Sequence, residues 1–340
     1  MMKKFTLDKL PQKVLEKIDL ERAFMASRLV IAAERFQVFR TLHGKKLQTD
    51  EIGIKLKIHR KYLTIFLDAL VSMGLLVKKG DVYRNSSMAE KYFIEGRSIY
   101  WTRQFSKECV EAFDAYTALE KVLLSGEISH AIEKANKKNY LEAMKNDAQE
   151  AEDFTQMLFY YHRPEAEALA EYLDLTKKKA FLDVGGGSGV MSIALLQKNP
   201  NLNACILDIE PVCKIVLGNI HNAGLSHRMS VISGDFRKGL PEGFDVIMCC
   251  DIGRVPEELV REIYRRLPPD GMIVLVDRFL SSDSTEPLDR LLCQFEGSGF
   301  GMETREDMTK LLGDCGFEKV CLDTLINDVW IITGTKLDRL

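Results

Sequence analysis

A glycine-rich segment in the second half of the chain constrains the fold more than any other feature. Residues 181–190 read FLDVGGGSGV, an apolar stretch that runs into four glycines, and an amphipathic stretch follows at 191–197. The first stretch predicts a buried parallel strand and the second predicts a helix. Gly185, Gly187 and Gly189 permit a tight turn between them and place no Cβ in the way of a ligand. The segment therefore predicts an α/β fold with a ligand close to the main chain.

The spacing of these glycines favours a nucleoside cofactor other than a dinucleotide. In the dinucleotide fingerprint the third glycine follows the second by three residues, and the helix N-terminus holds a pyrophosphate. Val190 stands at that position here. Asp183, at the strand end, would repel a pyrophosphate, whereas it could meet a cationic or hydroxylated ligand. Two alternatives remain open: Asp183 only caps the helix, or the loop is a generic strand-to-helix turn.

Acidic residues follow three more predicted strands. The apolar stretches 204–208, 229–232 and 244–249 end in or lead to Asp208, Asp235 and Asp251. The carboxyl ends of parallel strands share one edge of a sheet, which is where ligands bind in open α/β folds. Asp208 lies about 20 residues past the glycine loop, where an acid bonds ribose hydroxyls. Asp235 and Phe236 offer a carboxylate and a ring to an adenine, although either acid could also be an ordinary strand-end residue.

In this order and spacing, the segments resemble the S-adenosylmethionine-dependent small-molecule O-methyltransferases, the family of caffeate, hydroxyindole and polyketide enzymes. The resemblance covers nearly the whole chain and includes Pro-Asp-Gly at 269–271 and Cys-Gly-Phe at 315–317. It implies a doubly wound, Rossmann-like sheet, S-adenosylmethionine as cofactor and S-adenosylhomocysteine as product. The positions that match the family's cofactor contacts are Gly185 and Gly187 for the methionine part, Asp208 for the ribose, and Asp235 and Phe236 for the adenine.

Length and composition agree with a two-domain enzyme. The chain has 340 residues, 46% of them hydrophobic, and a net charge of -3, which gives no bulk attraction to nucleic acid. No apolar run approaches the roughly 20 residues of a membrane span, and the N-terminal residues lack a signal-peptide core, so we expect a cytoplasmic protein. Its eight cysteines show no zinc-site spacing, which favours reduced thiols and no metal.

The first 97 residues predict a mostly α-helical winged-helix domain. Helical periodicity covers 19–42, a helix-turn-helix follows over 47–73 with Thr49 as a helix N-cap, and a ribbon over 75–84 turns at Gly80 and Asp81. Such a module can read DNA, and residues 59–61 would begin its recognition helix. Basic residues are confined to that end of the helix, which argues against DNA. In the resembled family this domain dimerises, so we expect a homodimer.

Residues 98–175 predict a helical segment between that domain and a cofactor domain at 176–340. One of its predicted helices covers residues 140–159. In the resembled family, the segment that matches residues 154–162 lies over the cofactor and lines the substrate site. The candidates for a substrate pocket are Met157, Phe159, Tyr160, Tyr161 and His162. A stripe of methionine and aromatic residues at helical spacing is equally typical of a packed core.

The catalytic histidine of the resembled family is absent. The usual O-methylating members place a His-Asp pair just after the fourth strand, where the histidine deprotonates the acceptor hydroxyl. Cys250 occupies its approximate place here, beside Asp251. A buried cysteine of ordinary pKa is a poor proton acceptor for a phenol. Cys250 is therefore assigned to the cofactor site and not to proton transfer.

Four residues are candidates for the missing catalytic function: Asp251, His162, Glu303 and Arg254. Glu303 lies near the position of a catalytic glutamate in plant members of the family. Arg254 and Arg290 could bind an acidic substrate, or could be surface residues at helix starts. The bacteriochlorophyllide carbon-methyltransferase branch of the family also has a cysteine in place of this histidine. The tyrosine and histidine that are acid–base candidates in that branch match positions near Arg254 and Arg290 here, so their roles do not carry over to this chain.

The resemblance implies a methyltransferase that acts on an aromatic or polycyclic small molecule, with oxygen as the favoured acceptor because the family is mostly of that kind. Carbon methylation is the first alternative. A second is non-methylating chemistry on the same fold, such as hydroxylation or decarboxylation. A third is a winged-helix regulator that binds DNA.

Overall fold

The computed structural model describes residues 9–15, 20–94, 99–136, 138–297 and 299–337. The chain divides into two compact units, Met1–Val110 and Glu111–Leu340. The predicted domain boundary at 97/98 and the predicted start of the first long helix at residue 19 lie outside the described residues. The described cysteines form no disulfide bond with one another. No helix in the described ranges combines the length and the apolar character needed to cross a bilayer.

The first unit has the winged-helix layout that the sequence predicts. Its elements are α1 (Gln12–Leu15), α2 (Leu20–Arg35), α3 (Val38–Leu42), β1 (Leu47–Gln48), α4 (Thr49–Leu56), α5 (Arg60–Ser72), β2 (Leu76–Lys79), β3 (Val82–Asn85), α6 (Ser87–Ala89) and a π-helical turn, Glu90–Ile94. The strands form a small sheet in the order β1-β3-β2. Leu63, Leu67 and Leu70 of α5 are fully buried because their spacing places them on one helix face.

Local chemistry explains where this unit departs from the sequence pattern. The helix predicted over 19–42 breaks between α2 and α3, where Gln37 has a left-handed φ of 56°. Thr49 was expected to cap α4, but the cap is Gln48, whose N–H donates to Glu51 at 2.7 Å. The Thr49 hydroxyl instead donates to Asp81 at 2.5 Å, which ties α4 to the wing. The predicted Gly80-Asp81 turn is confirmed by the pairing of β2 and β3.

The second unit begins with helices, as predicted for 98–175. These are α7 (Ile99–Tyr116, which crosses from the first unit), α8 (Leu119–Ser125), α9 (Ser129–Lys134), α10 (Tyr140–Asn146), α11 (Ala148–Tyr161) and α12 (Arg163–Tyr172). The helix predicted over 140–159 is two helices, because the Asp147 side chain accepts the N–H of Glu150 at 3.0 Å and starts α11 anew.

A seven-stranded sheet forms the body of the second unit. Its strands are β4 (Ala180–Val184), β5 (Asn203–Asp208), β6 (Met229–Ser233), β7 (Val246–Cys250), β8 (Gly271–Asp277), β9 (Glu318–Ile326) and β10 (Val329–Lys336). Their order is β6-β5-β4-β7-β8-β10-β9, with β10 antiparallel to both neighbours. The remaining helices are α13 (Val190–Lys198), α14 (Glu210–Asn222), α15 (Glu257–Arg266), α16 (Leu288–Gln294) and α17 (Arg305–Asp314). The predicted doubly wound fold is confirmed.

Alternation along the strands separates two apolar cores, one on each face of the sheet. Phe181 belongs to the core that includes residues of α12, α13 and α14, whereas its neighbour Leu182 belongs to the core with residues of α15 and α17. Successive side chains of a strand point to opposite faces, so a strand covered on both sides is apolar at every position. The uninterrupted apolar runs noted in the sequence have this cause.

The chain order of the strands reverses between β4 and β7. Val184 at the end of β4 pairs with Cys249 near the end of β7. The glycine loop after β4 and the residues after β7 therefore lie side by side at the carboxyl edge of the sheet. This is the switch point at which open α/β folds bind their ligands.

Candidate active site

The glycine loop after β4 can be built only from glycines at its key positions. Gly185, Gly187 and Gly189 have φ of 65°, 53° and 78°, in the region that disfavours residues with a Cβ. A Cβ at Gly185 would lie 2.9 Å from Ile252 Cγ2, and one at Gly189 would lie 2.7 Å from Val216 Cγ2. The loop thus leaves its backbone accessible while it packs closely against its surroundings.

Asp208, at the end of β5, is hydrogen-bonded to this loop. One carboxylate oxygen accepts the N–H of Gly187 at 2.8 Å, and the other accepts the N–H of Ile209 at 2.7 Å. Burial raises the pKa of Asp208, and the two N–H groups oppose that change. Each oxygen keeps a further lone pair, so the carboxylate can also accept two ribose hydroxyls.

Asp183 lies beneath the glycine loop. Its side chain is 1% exposed and accepts a hydrogen bond from the Ser192 hydroxyl of α13. The other oxygen, Oδ1, is buried and has no hydrogen-bond partner among the described residues. Burial raises the pKa of Asp183 to about 7. The alternative that Asp183 caps the helix is wrong, because Gly189 is the N-cap of α13 and the Asp183 carboxylate bonds the Ser192 hydroxyl and not the N–H groups of the first helical turn.

Asp235 and Phe236 lie at the next strand end. Asp235 starts a short 3-10 helix, Phe236–Lys238, and accepts hydrogen bonds from Nε and Nη2 of Arg237 at 2.8 and 2.7 Å. This hydrogen bonding with Arg237 lowers the pKa of Asp235 to about 2. Phe236 Cε1 comes within 3.9 Å of the position that a Cβ at Gly185 would occupy, so the ring lies beside the glycine loop.

These residues fit an adenosine-bearing cofactor with a positive charge. The loop backbone is open at Gly187, where a Cβ would meet only the Gly185 carbonyl oxygen, at 3.8 Å. Asp208 provides acceptors for a ribose, Phe236 provides a ring face for a base, and Asp235 provides acceptors for an amino group. The assignment of each contact remains a prediction.

Two candidate bases, which are distant in the sequence, lie together. His162 Nε2 is 3.2 Å from Asp251 Oδ2. His162 lies at the junction of α11 and α12 and is 8% exposed, and Asp251 directly follows β7. Asp251 has a left-handed φ of 51°, and its N–H donates to the Val276 carbonyl of β8. A histidine–carboxylate pair is therefore present even though Cys250 occupies the position of the family histidine.

Buried charges surround Asp251. Burial alone would raise the pKa of Asp251, but the hydrogen bond and charge of His162, together with the charges of Arg278 and Arg290, hold it well below its ordinary value. Arg278 is itself paired with Glu165 of α12 at 3.1 Å. Asp251 is therefore anionic at neutral pH and can stabilise a protonated imidazole beside it.

Arg290 is buried, so the alternative that places it on the surface is wrong. It is 6% exposed, pairs with Asp277 at the end of β8, and donates from Nε to the Arg278 carbonyl at 3.1 Å. Its guanidinium lies 4.5 Å from the centre of the Phe300 ring. Asp277 has its pKa raised to about 7, by burial and then by Asp251. Arg290 thus uses its Nε and Nη2 donors within the protein.

Arg254 and Glu303 form an ion pair at the edge of this cluster, and Glu303 lines a cavity together with Asp277, Arg278 and Arg290. Arg254 Nε is 3.2 Å from Glu303 Oε1, and the Arg254 side chain is 70% exposed. The Gly301 N–H donates to the Gly253 carbonyl at 2.9 Å, which joins the two loops that carry the pair. The surface interpretation of Arg254 agrees with this exposure.

The remaining candidates differ in exposure. Burial raises the pKa of the Cys250 thiol well above its ordinary value, which agrees with its exclusion as a base. On α11, Met157 is buried and Phe159 packs against the core, whereas Tyr160 is 37% exposed. The Tyr161 ring lies 5.6 Å from the Arg278 guanidinium, and burial raises the Tyr161 pKa. The stripe is therefore partly core, with its polar members at the end next to Asp251.

Asp277 and Arg278 are site residues that were not among the sequence-based candidates. A signal was available for Asp277, because it ends β8 in the same way as Asp208 ends β5. The pairing of Asp277 with Arg290 had no such signal, since α16 is reached only through an irregular loop.

Two family models match this chain, and several known proteins are similar to it. A family model described as the O-methyltransferase domain matches residues 116–318, and one described as the O-methyltransferase dimerisation domain matches residues 18–95. The tetracenomycin polyketide synthesis 8-O-methyl transferase TcmO of Streptomyces glaucescens is 26% identical over 89% of this chain and 91% of its own length.

Two further similarities concern a shorter stretch and the fold. The L-tyrosine C(3)-methyltransferase of Streptomyces lavendulae is 36% identical over 35% of this chain and 34% of its own length. The solved structure of PigF with SAH is similar to this chain with a TM-score of 0.82 and 18% sequence identity. The similarity covers 96% of this chain and 100% of the PigF chain. Because the family model spans more than half of the sequence and the site fits the cofactor, the chain belongs to the O-methyltransferase family and is an S-adenosylmethionine-dependent methyltransferase.

Proposed function

We propose that this enzyme methylates a hydroxyl group of an aromatic or polycyclic small molecule, with His162 as the general base and Asp251 as its partner. The observation that carries the proposal is the 3.2 Å contact between His162 Nε2 and Asp251 Oδ2. It supplies the histidine–carboxylate pair that O-methylation needs from a position other than that of the family histidine.

The chemistry of the pair assigns a role to each nitrogen of His162. A carboxylate beside Nε2 favours the tautomer in which Nε2 carries the proton and donates a hydrogen bond to Asp251. Nδ1 is then the nitrogen that accepts the proton of the acceptor hydroxyl. The anionic Asp251, held in that state by the hydrogen bond of His162 and by the charges of Arg278 and Arg290, stabilises the imidazolium that results.

The cofactor site supplies the other half of the reaction. Bound S-adenosylmethionine provides an activated methyl group, and transfer needs an oxygen lone pair about 3 Å from it in line with the breaking bond. In the proposal, Asp208 and the glycine loop hold the nucleoside, Asp183 supports the loop from below, and the pair of His162 and Asp251 positions and deprotonates the hydroxyl.

The acceptor class is proposed from the helix next to the pair and from relatives. Tyr160 and Tyr161 lie beside His162 and offer ring faces to a flat molecule. TcmO is by name an 8-O-methyl transferase of polyketide synthesis. Glu303 and Arg254 are outer residues of the site in this proposal, and Arg290 acts through Asp277.

Carbon methylation is the second candidate, and one observation favours it. The relative with 36% identity over part of the chain is named as a carbon methyltransferase acting on L-tyrosine. Removal of a phenol proton activates the ring carbon ortho to it as well as the oxygen, so the same pair would serve either outcome. The position of the acceptor relative to the methyl group would decide between them.

We further propose that residues 1–97 mediate a homodimer, that 98–175 line the acceptor site and that 176–340 bind the cofactor, in a cytoplasmic enzyme. The dimerisation-domain match covers residues 18–95. Phe24 and Met25 of α2 and Tyr62 and Ile65 of α5 are apolar side chains that are more than half exposed. These exposed apolar groups suit a protein interface better than a phosphate backbone.

Calorimetry followed by a methylation screen tests the function. Purified enzyme is titrated with S-adenosylmethionine, S-adenosylhomocysteine and NAD, and then incubated with methyl-labelled cofactor and a panel of hydroxylated aromatic compounds. We expect micromolar binding of the first two ligands and labelled methyl ethers as products. Labelled carbon-methylated products would favour the second candidate, and the absence of cofactor binding would refute both.

Variants then test the assignment of the base. His162→Ala and Asp251→Asn should lower kcat by about 100-fold or more, the usual contribution of a general base, while S-adenosylhomocysteine affinity holds. His227→Ala, at an exposed histidine before β6, is the control. Full activity of His162→Ala would show that the base is another residue.

A further inference from the structure

Two side-chain amides connect the glycine loop to α11. The Asn219 Nδ2 of α14 donates to the Ser188 carbonyl of the glycine loop at 3.0 Å. The Gln156 Nε2 of α11 donates to Asn219 Oδ1, also at 3.0 Å. The two bonds form a continuous chain from the backbone of the cofactor loop to the helix that leads into His162.

Burial makes this connection a fixed one. Asn219 is 8% exposed, Ser188 is 4% exposed, and Gln156 is half-buried. The Asn219 amide keeps one orientation, because reversal would place its oxygen against the Ser188 carbonyl oxygen, which can only accept a hydrogen bond. The conformation of the loop therefore restricts the position of Gln156 and, through it, of α11.

We propose that Gln156 and Asn219 are positioning residues that couple cofactor binding to the placement of α11. The inference rests on the proposed function, in which the end of α11 presents Tyr160, Tyr161 and His162 to the acceptor. A cofactor seated on the glycine loop restrains Ser188. Asn219 and Gln156 then pass that restraint to α11, so the acceptor site becomes ordered once the cofactor is bound.

Hydrogen exchange tests the coupling with S-adenosylhomocysteine as the probe, without need of an acceptor. In the wild-type enzyme we expect the ligand to slow amide exchange both in the glycine loop and across residues 148–161. In Gln156→Met, which keeps the side-chain length but removes the bond to Asn219, the ligand should bind within about threefold of wild type, because the contact of Asn219 with the loop remains. Loop protection should persist, and the ligand-dependent protection of α11 should be lost.

A second variant and a matched control separate coupling from folding. Asn219→Leu removes both bonds and should weaken ligand binding by about fivefold in addition to uncoupling α11. Asn199→Leu is the control, since Asn199 is also 8% exposed and bonds only the Leu195 carbonyl with its side chain. That variant should keep the protection of α11.

The outcomes separate this inference from the proposed function. Protection of α11 by the ligand in Gln156→Met, equal to that in wild type, would overturn the coupling while leaving the methyltransferase intact. Loss of α11 protection in Asn199→Leu as well would also overturn it, because the effect would then be one of general destabilisation. Absence of ligand binding by the wild-type enzyme would overturn the proposed function and the inference together.

Discussion

Replacement of Asp183 by asparagine should make the stability of the enzyme less sensitive to pH. The carboxyl is buried, makes one hydrogen bond to Ser192, and has a pKa of about 7 in place of its ordinary 3.8. Asparagine has the same shape, can accept the same hydrogen bond and does not titrate. A comparison of the two proteins therefore isolates the cost of ionising this one group.

The sign and size of the effect follow from linkage. Below about pH 4, Asp183 is protonated in the folded state and increasingly protonated in the unfolded state. The neutral buried carboxyl then makes its full contribution to the stability of the fold. As the pH rises towards about 7 the unfolded chain loses this proton while the folded chain holds it, so the stabilisation declines. The gap between 3.8 and about 7 corresponds to about 4 kcal/mol, which is an upper bound because the folded site relaxes and admits water.

Urea unfolding of the cofactor-free proteins, measured from about pH 4 to about pH 8, tests this expectation. The free energy of unfolding of Asp183→Asn should rise relative to wild type across that range by up to about 4 kcal/mol and then level off. Ser192→Ala should shift the wild-type transition to higher pH, because the hydrogen bond from Ser192 lowers the Asp183 pKa. A stability difference between the two proteins that is constant with pH would refute the reasoning.

Four further variants test other parts of the site. Asp208→Ala should weaken S-adenosylhomocysteine binding by about 1–3 kcal/mol in calorimetry, because a ribose ligand and a support of Gly187 are both lost. Unchanged affinity would contradict that role. Arg290→Met leaves Asp277 buried without its partner and should lower the free energy of unfolding by about 3–5 kcal/mol, whereas Arg254→Met, at an exposed pair, should change it by less than about 1 kcal/mol. Cys250→Ser should keep kcat within about threefold, because a thiol whose pKa is raised by burial takes no part in proton transfer. A large loss of turnover there would assign Cys250 a direct role.

The strands were predictable from the sequence because a strand buried on both faces of a sheet consists mostly of apolar residues. β4 begins and ends where expected, at Ala180 and Val184. The strand expected over 244–249 begins later, at Val246, because Asp245 turns its carboxylate to the N–H groups of Lys179 and Ala180. Breaks within helices were less predictable. Asp147 divides α10 from α11 because its side chain caps α11, and the sequence does not show whether an aspartate within a helical pattern will form such a cap.

The candidate site was predictable where function depends on local sequence. The glycine loop, Asp208 and Phe236 lie at strand ends, and the order of strands alone brings them to one edge. The contact of His162 with Asp251 joins a helix end to a strand end across a long stretch of chain, and no local pattern reports it. The same holds for Arg290, whose burial depends on Asp277 and on the path of an irregular loop.

The location of His162 has a consequence for the design of chimeric enzymes. In the usual arrangement of the family, the base follows a strand and stays with the cofactor domain when acceptor-binding helices are exchanged. Here the proposed base, His162, lies between α11 and α12, and only its partner Asp251 directly follows a strand of the sheet. A graft of these helices from a relative would remove the base along with the acceptor preference. Exchange of the acceptor site would therefore succeed only if the incoming segment carries a histidine at this junction, or if Cys250 is changed to histidine at the same time.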